Sequence, residues 1–245
     1  MPTAGSTQEL ARIVAVPVTT IAEVAERLGQ VHDHALATTT AGDRDGIVCF
    51  TGLYRTITRT IDVTPYEDRD FLVRLDLEFA RLYFEALQAY AVDRSSAPGP
   101  WRILFDRRSD PDVERVQFAA AGVNAHINYD LAHALLRTFP DFPPDDARHR
   151  DYDTVDNAFK KHMDGLRDYY DAPFSSALFD RSLLDRLSNL VSSLLVKGTR
   201  ANAWDDAIRV WESRDRDGAR GRMLREQDFE ASFLQRGLLL PFLPV

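Results

Sequence analysis

The sequence predicts an all-α protein, a single-domain helical bundle spanning residues 1–245 around a buried central helix. Three observations predict it. Apolar residues recur at helical spacing along most of the chain, alternating apolar and polar residues never persist beyond four or five positions, and no Gly/Ser- or Pro-rich linker separates two halves. A core of this size can bury roughly three quarters of the unfolded surface, so folding requires neither a disulfide nor a structural metal. A bound ion would be there for chemistry.

Taken in order, residues 12–18 (RIVAVPV) read as a short apolar lead-in. Thr20-x-x-Glu23 is the pattern in which a hydroxyl and a carboxylate satisfy the free N–H groups of a helix start, and Ile21, Val24, Ala25, Leu28 and Val31 follow on one face. After the break Gly42-Asp-Arg-Asp-Gly46, the residues Ile47, Phe50, Leu53, Tyr54, Ile57 and Ile61 define a second helix despite its β-branched residues. Beyond Pro65, an apolar stripe from Phe71 through Leu75, Phe79, Tyr83 and Tyr90 predicts a helix over 68–92. Residues 95–100 read as a loop and Trp101 to Phe105 as a connecting piece. A long helix is predicted over 111–139, stopped by Pro140 and the Phe142-Pro-Pro turn. Helical patterns over 151–170, 175–196, 199–214 and 217–237 complete the chain, with Gly198 and Gly237 at helix ends, where glycine is favoured.

Composition narrows the function. A formal net charge of −8 argues against a nucleic-acid partner, whose phosphates are held by clustered Lys and Arg. No run approaches the 18 or so apolar residues of a membrane span; the terminal LLLPFLPV is short and carries two prolines. The one cysteine, Cys49, and a start without the basic and apolar segments of a signal peptide point to the cytoplasm. Three of the 30 basic residues are lysines, leaving 27 arginines, a bias of GC-rich genomes that suggests an actinobacterial source.

The candidate site lies on the central helix. Within VERVQFAAAGVNAHINYDLAHALLRTF, apolar or small residues occupy nearly every side, yet Asn124, His126, Asn128, Asp130 and His133 sit among them. An unpaired buried polar group costs about 1–3 kcal/mol, so each demands a partner. In a regular helix His126, Asp130 and His133 fall within about 60° of one another on one face. His149-x-x-x-Asp153-x-x-Asp156 repeats that spacing, and the short turn between the two helices predicts antiparallel packing that brings both groups together. Imidazole and carboxylate are ligands for zinc, iron or manganese, so His126, Asp130, His133, His149 and Asp153 form a candidate site for a divalent metal, zinc first. The helix rises about 10 Å from His126 to His133, which calls for two ions or a subset of the ligands. Asp156 and Asp76 are candidate bases or orienting groups, Asp76 because it interrupts an apolar neighbourhood on its helix. The plainer alternatives are a hydrogen-bonded core pair for His126 and Asp130, a helix cap for Asp151 or Asp153, and a solvated Asp156. His32, His34 and His162 read as surface residues, and Trp204 and Trp211 as core.

The run from Ala121 to Leu131 (AGVNAHINYDL) resembles the most distinctive motif of an uncharacterised bacterial and fungal family of unknown function, common in actinobacteria. Asp45 to Phe50, Leu53-Tyr54, the Leu75-Asp76 to Tyr83 helix, Trp101 and Ala203-Trp204 follow in the order that the resemblance implies. A looser likeness of spacing alone, His126-x-x-x-Asp130, His133, then His149-x-x-x-Asp153, resembles the ligand series of zinc-dependent phospholipase C, which implies zinc-activated water. That family has glutamate where Asp153 stands, uses its mature N-terminal residue as a ligand, and is secreted. The expected function is a metal-assisted enzyme, hydrolytic or cyclising, acting on a small organic molecule, with no nucleic-acid or membrane partner. The alternatives are a metal-free isomerase or cyclase using His126 and Asp130 as acid and base, and a non-catalytic helical binding protein.

Overall fold

The structure, a computed structural model, describes residues 4–61, 65–155, 198–214 and 218–241. It is all-α, with no strand among these residues. The helices are α1 (Ala4–Ala15), α2 (Ile21–Thr38), α3 (Gly46–Ile61), α4 (Arg69–Val92), α5 (Gly99–Arg107), α6 (Arg115–Ala125), a π-helical segment (His126–Asp130), α7 (Leu131–Thr138), α8 (146–155), α9 (Gly198–Ser213) and α10 (Ala219–Leu238). The run α6–π–α7 is the central helix, and α3, α4, α5, α9 and α10 pack around it. No helix among the described residues is long and apolar enough to cross a membrane.

Two segments differ from the expectation. The lead-in belongs to α1, whose Leu10 and Val14 enter the core, and the piece around Trp101 is α5, started by Pro98 with Pro100 in its first turn. Both helices are short, leaving the periodic signal too few turns to stand out. The central helix starts at Arg115, where the Gln117 side chain accepts from the Glu114 N–H at 2.9 Å. Gly198 opens α9 and Gly237 lies inside the last turn of α10, so neither stands beyond a described helix end. The predicted helix over 175–196 lies outside the described residues.

The starts of α2, α3, α4 and α8 rest on side-chain caps. Thr20 accepts from the Glu23 N–H, and the Glu23 carboxylate reaches back to the Thr19 N–H at 2.7 Å. Asp45, fully buried, accepts from the N–H groups of Ile47 and Val48 at the start of α3, from the Thr39 hydroxyl, and from Arg108 at 2.7 Å. A cap on its own helix was the plainer alternative for Asp151 or Asp153, and Asp151 does not serve as one. Instead Asp145 accepts from the Arg148 N–H there, and Asp151 accepts from the N–H groups of Glu67 and Asp68, just before α4. Asp68 in turn accepts from the Phe71 N–H and pairs with Arg148, so the starts of α4 and α8 are fastened together.

Candidate active site

The central helix is unusual at the point where its polar residues fall. Over His126–Asp130 the backbone adopts π geometry, a wider turn that holds one extra residue and is common at functional sites. It is held from two sides. Asn124 donates to the Ala231 carbonyl and the Gln235 side chain of α10, and Asn128 donates to Asn124. On the α3 side Phe50 lies so close to Gly122 that a Cβ there would sit 2.3 Å from its ring. Glycine at 122 is what lets Phe50 reach the His126 ring, with centroids 5.6 Å apart.

His126 and Asp130 are buried at the two ends of the π segment and bonded to each other, His126 Nδ1 lying 3.0 Å from Asp130 Oδ2. The Trp101 indole N–H donates to the same oxygen at 2.9 Å. The imidazole lies flat against Phe79, ring centres 3.4 Å apart and planes within 8°, and edge-on to Tyr54 at 4.6 Å. Its other nitrogen, Nε2, is buried and has no hydrogen-bond partner among the described residues, and the Tyr54 hydroxyl is in the same condition. Beside them is a small cavity of about 60 Å³ between α3, α4, the central helix, Val155 and Arg200. Its wall is mostly apolar, and among the described residues Tyr54, Asp76, His126 and Arg200 are its polar members.

Burial governs the protonation of these groups. It holds the His126 imidazolium well below the usual histidine range, and the nearby Arg200 guanidinium adds to the effect. Burial drives the Asp130 carboxyl well above its usual range, opposed by the Trp101 hydrogen bond. Tyr54 is pushed well up by burial, then by Asp76 and Asp130, and stays a neutral O–H donor. The site therefore presents a neutral imidazole and a neutral phenol, one able to take a proton and the other able to donate a hydrogen bond.

The other sequence candidates are dispersed. Asp76 is buried and lines the cavity. His133, expected on the same face as His126 and Asp130, packs against Tyr129 at 4.7 Å and does not line the cavity. The extra residue of the π turn rotates everything after Asp130 by about 100° relative to a regular helix. His149 is half-exposed and stacks on Trp204 with planes within 8°, and Asp153 is exposed with its Oδ1 4.0 Å from His149 Nε2. The expected meeting of the two groups is therefore not seen among the described residues. Asp156 lies outside them. Among the described residues no three His, Cys, Asp or Glu side chains come together as a metal-holding group. Among the described residues that line the cavity, Asp76 and His126 are the metal-ligand types, two against the three protein ligands of a catalytic zinc.

Three members of the site carried no signal as such in the sequence. Tyr54 was one residue of an apolar stripe, Trp101 stood in what looked like a connector, and Arg200 fell in the first turn of the helix expected over 199–214. Comparison with other proteins gives no named relative: neither the curated proteins nor the solved structures hold a significant match. A sequence family described as a family of unknown function, DUF5995, matches residues 21–241, which takes in every described part of the cavity. The chain belongs to that family.

Proposed function

We propose that the cavity is the active site of a metal-free acid/base enzyme acting on a small, largely apolar organic molecule, by isomerisation or cyclisation. The observation that carries this reading is the orphaned Nε2 of His126. A buried nitrogen without a partner costs about 1–3 kcal/mol, and such atoms in folded proteins call for an explanation such as a bound water, a ligand or a catalytic role. Asp130 holds the ring by Nδ1, leaving Nε2 to take a proton from a C–H beside a carbonyl. The C–H electron pair moves into the carbonyl to form an enolate, whose oxygen accepts from the Tyr54 hydroxyl. The imidazolium, disfavoured by burial, returns the proton at another carbon. Asp130 beneath the ring compensates the cation while it exists. Arg200 and Asp76 would orient a polar end of the substrate, and the apolar wall would exclude water.

The test is deuterium uptake. A panel of small apolar ketones and enones is incubated with the protein in D2O and followed by mass spectrometry. Uptake that disappears in a folded His126→Gln variant supports the reading, and uptake equal in both proteins, or none with any compound, overturns it. The metal-assisted reading, with zinc, iron or manganese held by His126 and a subset of Asp130, His133, His149 and Asp153, is favoured only by Asp76 and His126 sharing one cavity wall. Elemental analysis of untagged protein decides between them. A stoichiometric ion lost in a His126→Ala, Asp130→Ala double variant would restore it. A purely binding protein would retain ligand in the cavity while exchanging no deuterium.

A further inference from the structure

The oxygen that faces His126 Nδ1 is the one that receives the Trp101 indole N–H. The histidine–aspartate pair has two states that differ by one proton taken from solvent, and the state decides what Nε2 can do. In the first, the shared proton is on Nδ1, Asp130 is a carboxylate and Nε2 is a bare lone pair, a base. In the second, one more proton has been taken up: the shared proton lies on Asp130, Nδ1 is the acceptor and the added proton sits on Nε2, which can only donate. Burial favours the second state because a carboxylate is costly in an apolar interior. A donor fixed on the carboxylate oxygen favours the first, since hydrogen bonds to ionised groups are stronger than those to neutral ones.

We infer that Trp101 is the positioning residue that keeps this proton on His126 Nδ1 and thereby keeps Nε2 a base. The inference rests on the acid/base reading above. Trp101 is itself fully buried and cannot be replaced by water in this role, because its ring is stacked on Phe105 at 5.6 Å and packed on Tyr83 at 4.9 Å. The groups that bear on the pair from the surrounding elements are Tyr54 on α3, Tyr83 and Glu85 on α4, Tyr129 on the π segment, Arg137 on α7, Arg200 on α9, and Asp76 through Tyr54. Among the described residues, Trp101 Nε1–H and His126 Nδ1 are the side-chain groups bonded directly to the Asp130 carboxylate.

Long-range proton–nitrogen NMR of histidine-labelled protein reads the two ring nitrogens separately, with no substrate present. In the native protein near neutral pH, Nε2 of His126 should be bare and Nδ1 protonated. In Trp101→Phe, which keeps an aromatic ring and removes the N–H, the pH at which the tautomers exchange should move up by about one to two units. Asp130→Asn should show no exchange at any pH, which assigns the exchange to Asp130. Should Trp101→Phe fail to fold, benzothienylalanine at position 101 replaces only N–H by sulfur and serves in its place. The same tautomer at the same pH in native and Trp101-altered protein, or a protonated Nε2 throughout in native protein, overturns the inference. Deuterium uptake is a separate measurement: uptake with an unmoved tautomer sinks the role of Trp101 alone, and a moved tautomer without uptake sinks the enzyme reading alone.

Discussion

Replacing His133 by Gln should flatten the acid limb of the stability curve. His133 is buried beside Tyr129, and burial, then Arg220 and Arg137, lowers its pKa to about 3 from an ordinary 6.5. The unfolded chain takes up a proton near pH 6.5 while the folded chain does not, so this contribution to stability is complete above that pH. It falls as pH drops from 6.5 toward 3 and is constant below. Each pH unit inside the window removes about 1.36 kcal/mol, so lowering the pH from about 7.5 to about 5 removes about 2 kcal/mol through this residue alone. Denaturant titrations followed by far-ultraviolet circular dichroism at the two pH values measure it. Native protein should lose about 2 kcal/mol more than His133→Gln across that interval. His126, also depressed, contributes equally to both proteins and cancels in the difference. Parallel stability curves would show that His133 is solvated in the folded chain and would refute the reasoning.

Asp45→Ala should cost about 3–5 kcal/mol, because it strands the largely buried Arg108 and uncaps α3 at once; thermal unfolding should show a fall in Tm on the order of 10 °C. Gly122→Ala should cost about 1–3 kcal/mol, since the new methyl must displace the Phe50 ring. The same displacement should alter the ring-current shifts of the His126 protons in an NMR spectrum, and unchanged shifts would count against the contact.

Much of the helical architecture was legible because long amphipathic stripes leave little choice of period: α2, α3 and α4 begin within about a residue or two of their expected positions, and Thr20 caps as its spacing requires. The joining of His126 to Asp130 was legible for a similar reason, since four residues along a helix brings two side chains together and an apolar neighbourhood forces them to pair. The separation of His133 was not. A single extra residue in one turn swings it round by about 100°, and periodicity over a stretch of apolar and small residues on every side cannot reveal it. Partners distant in sequence were equally hidden. Asp151 reads as a possible local cap until the backbone 83 and 84 positions earlier arrives beside it, and Trp101 reads as part of a connecting piece until its N–H is seen on Asp130.

The hold of α5 and the central helix on α10 and the residues just after it sets an order of assembly. Asn124 donates to Ala231 and Gln235, Gln117 to the carbonyls of Leu238 and Leu240, and Arg107 to that of Leu239, across 107 to 132 positions of chain. During synthesis these donors emerge well before their acceptors exist, so the segment that carries the histidine–aspartate pair cannot complete its polar contacts until the final helix is made. Contacts of such range are slow to form, because the entropy of closing a long loop comes before any reward. The waiting intermediate would present an open side to chaperones, and a nascent chain stalled before residue 219 should be cut by protease near the π segment while the full-length chain resists.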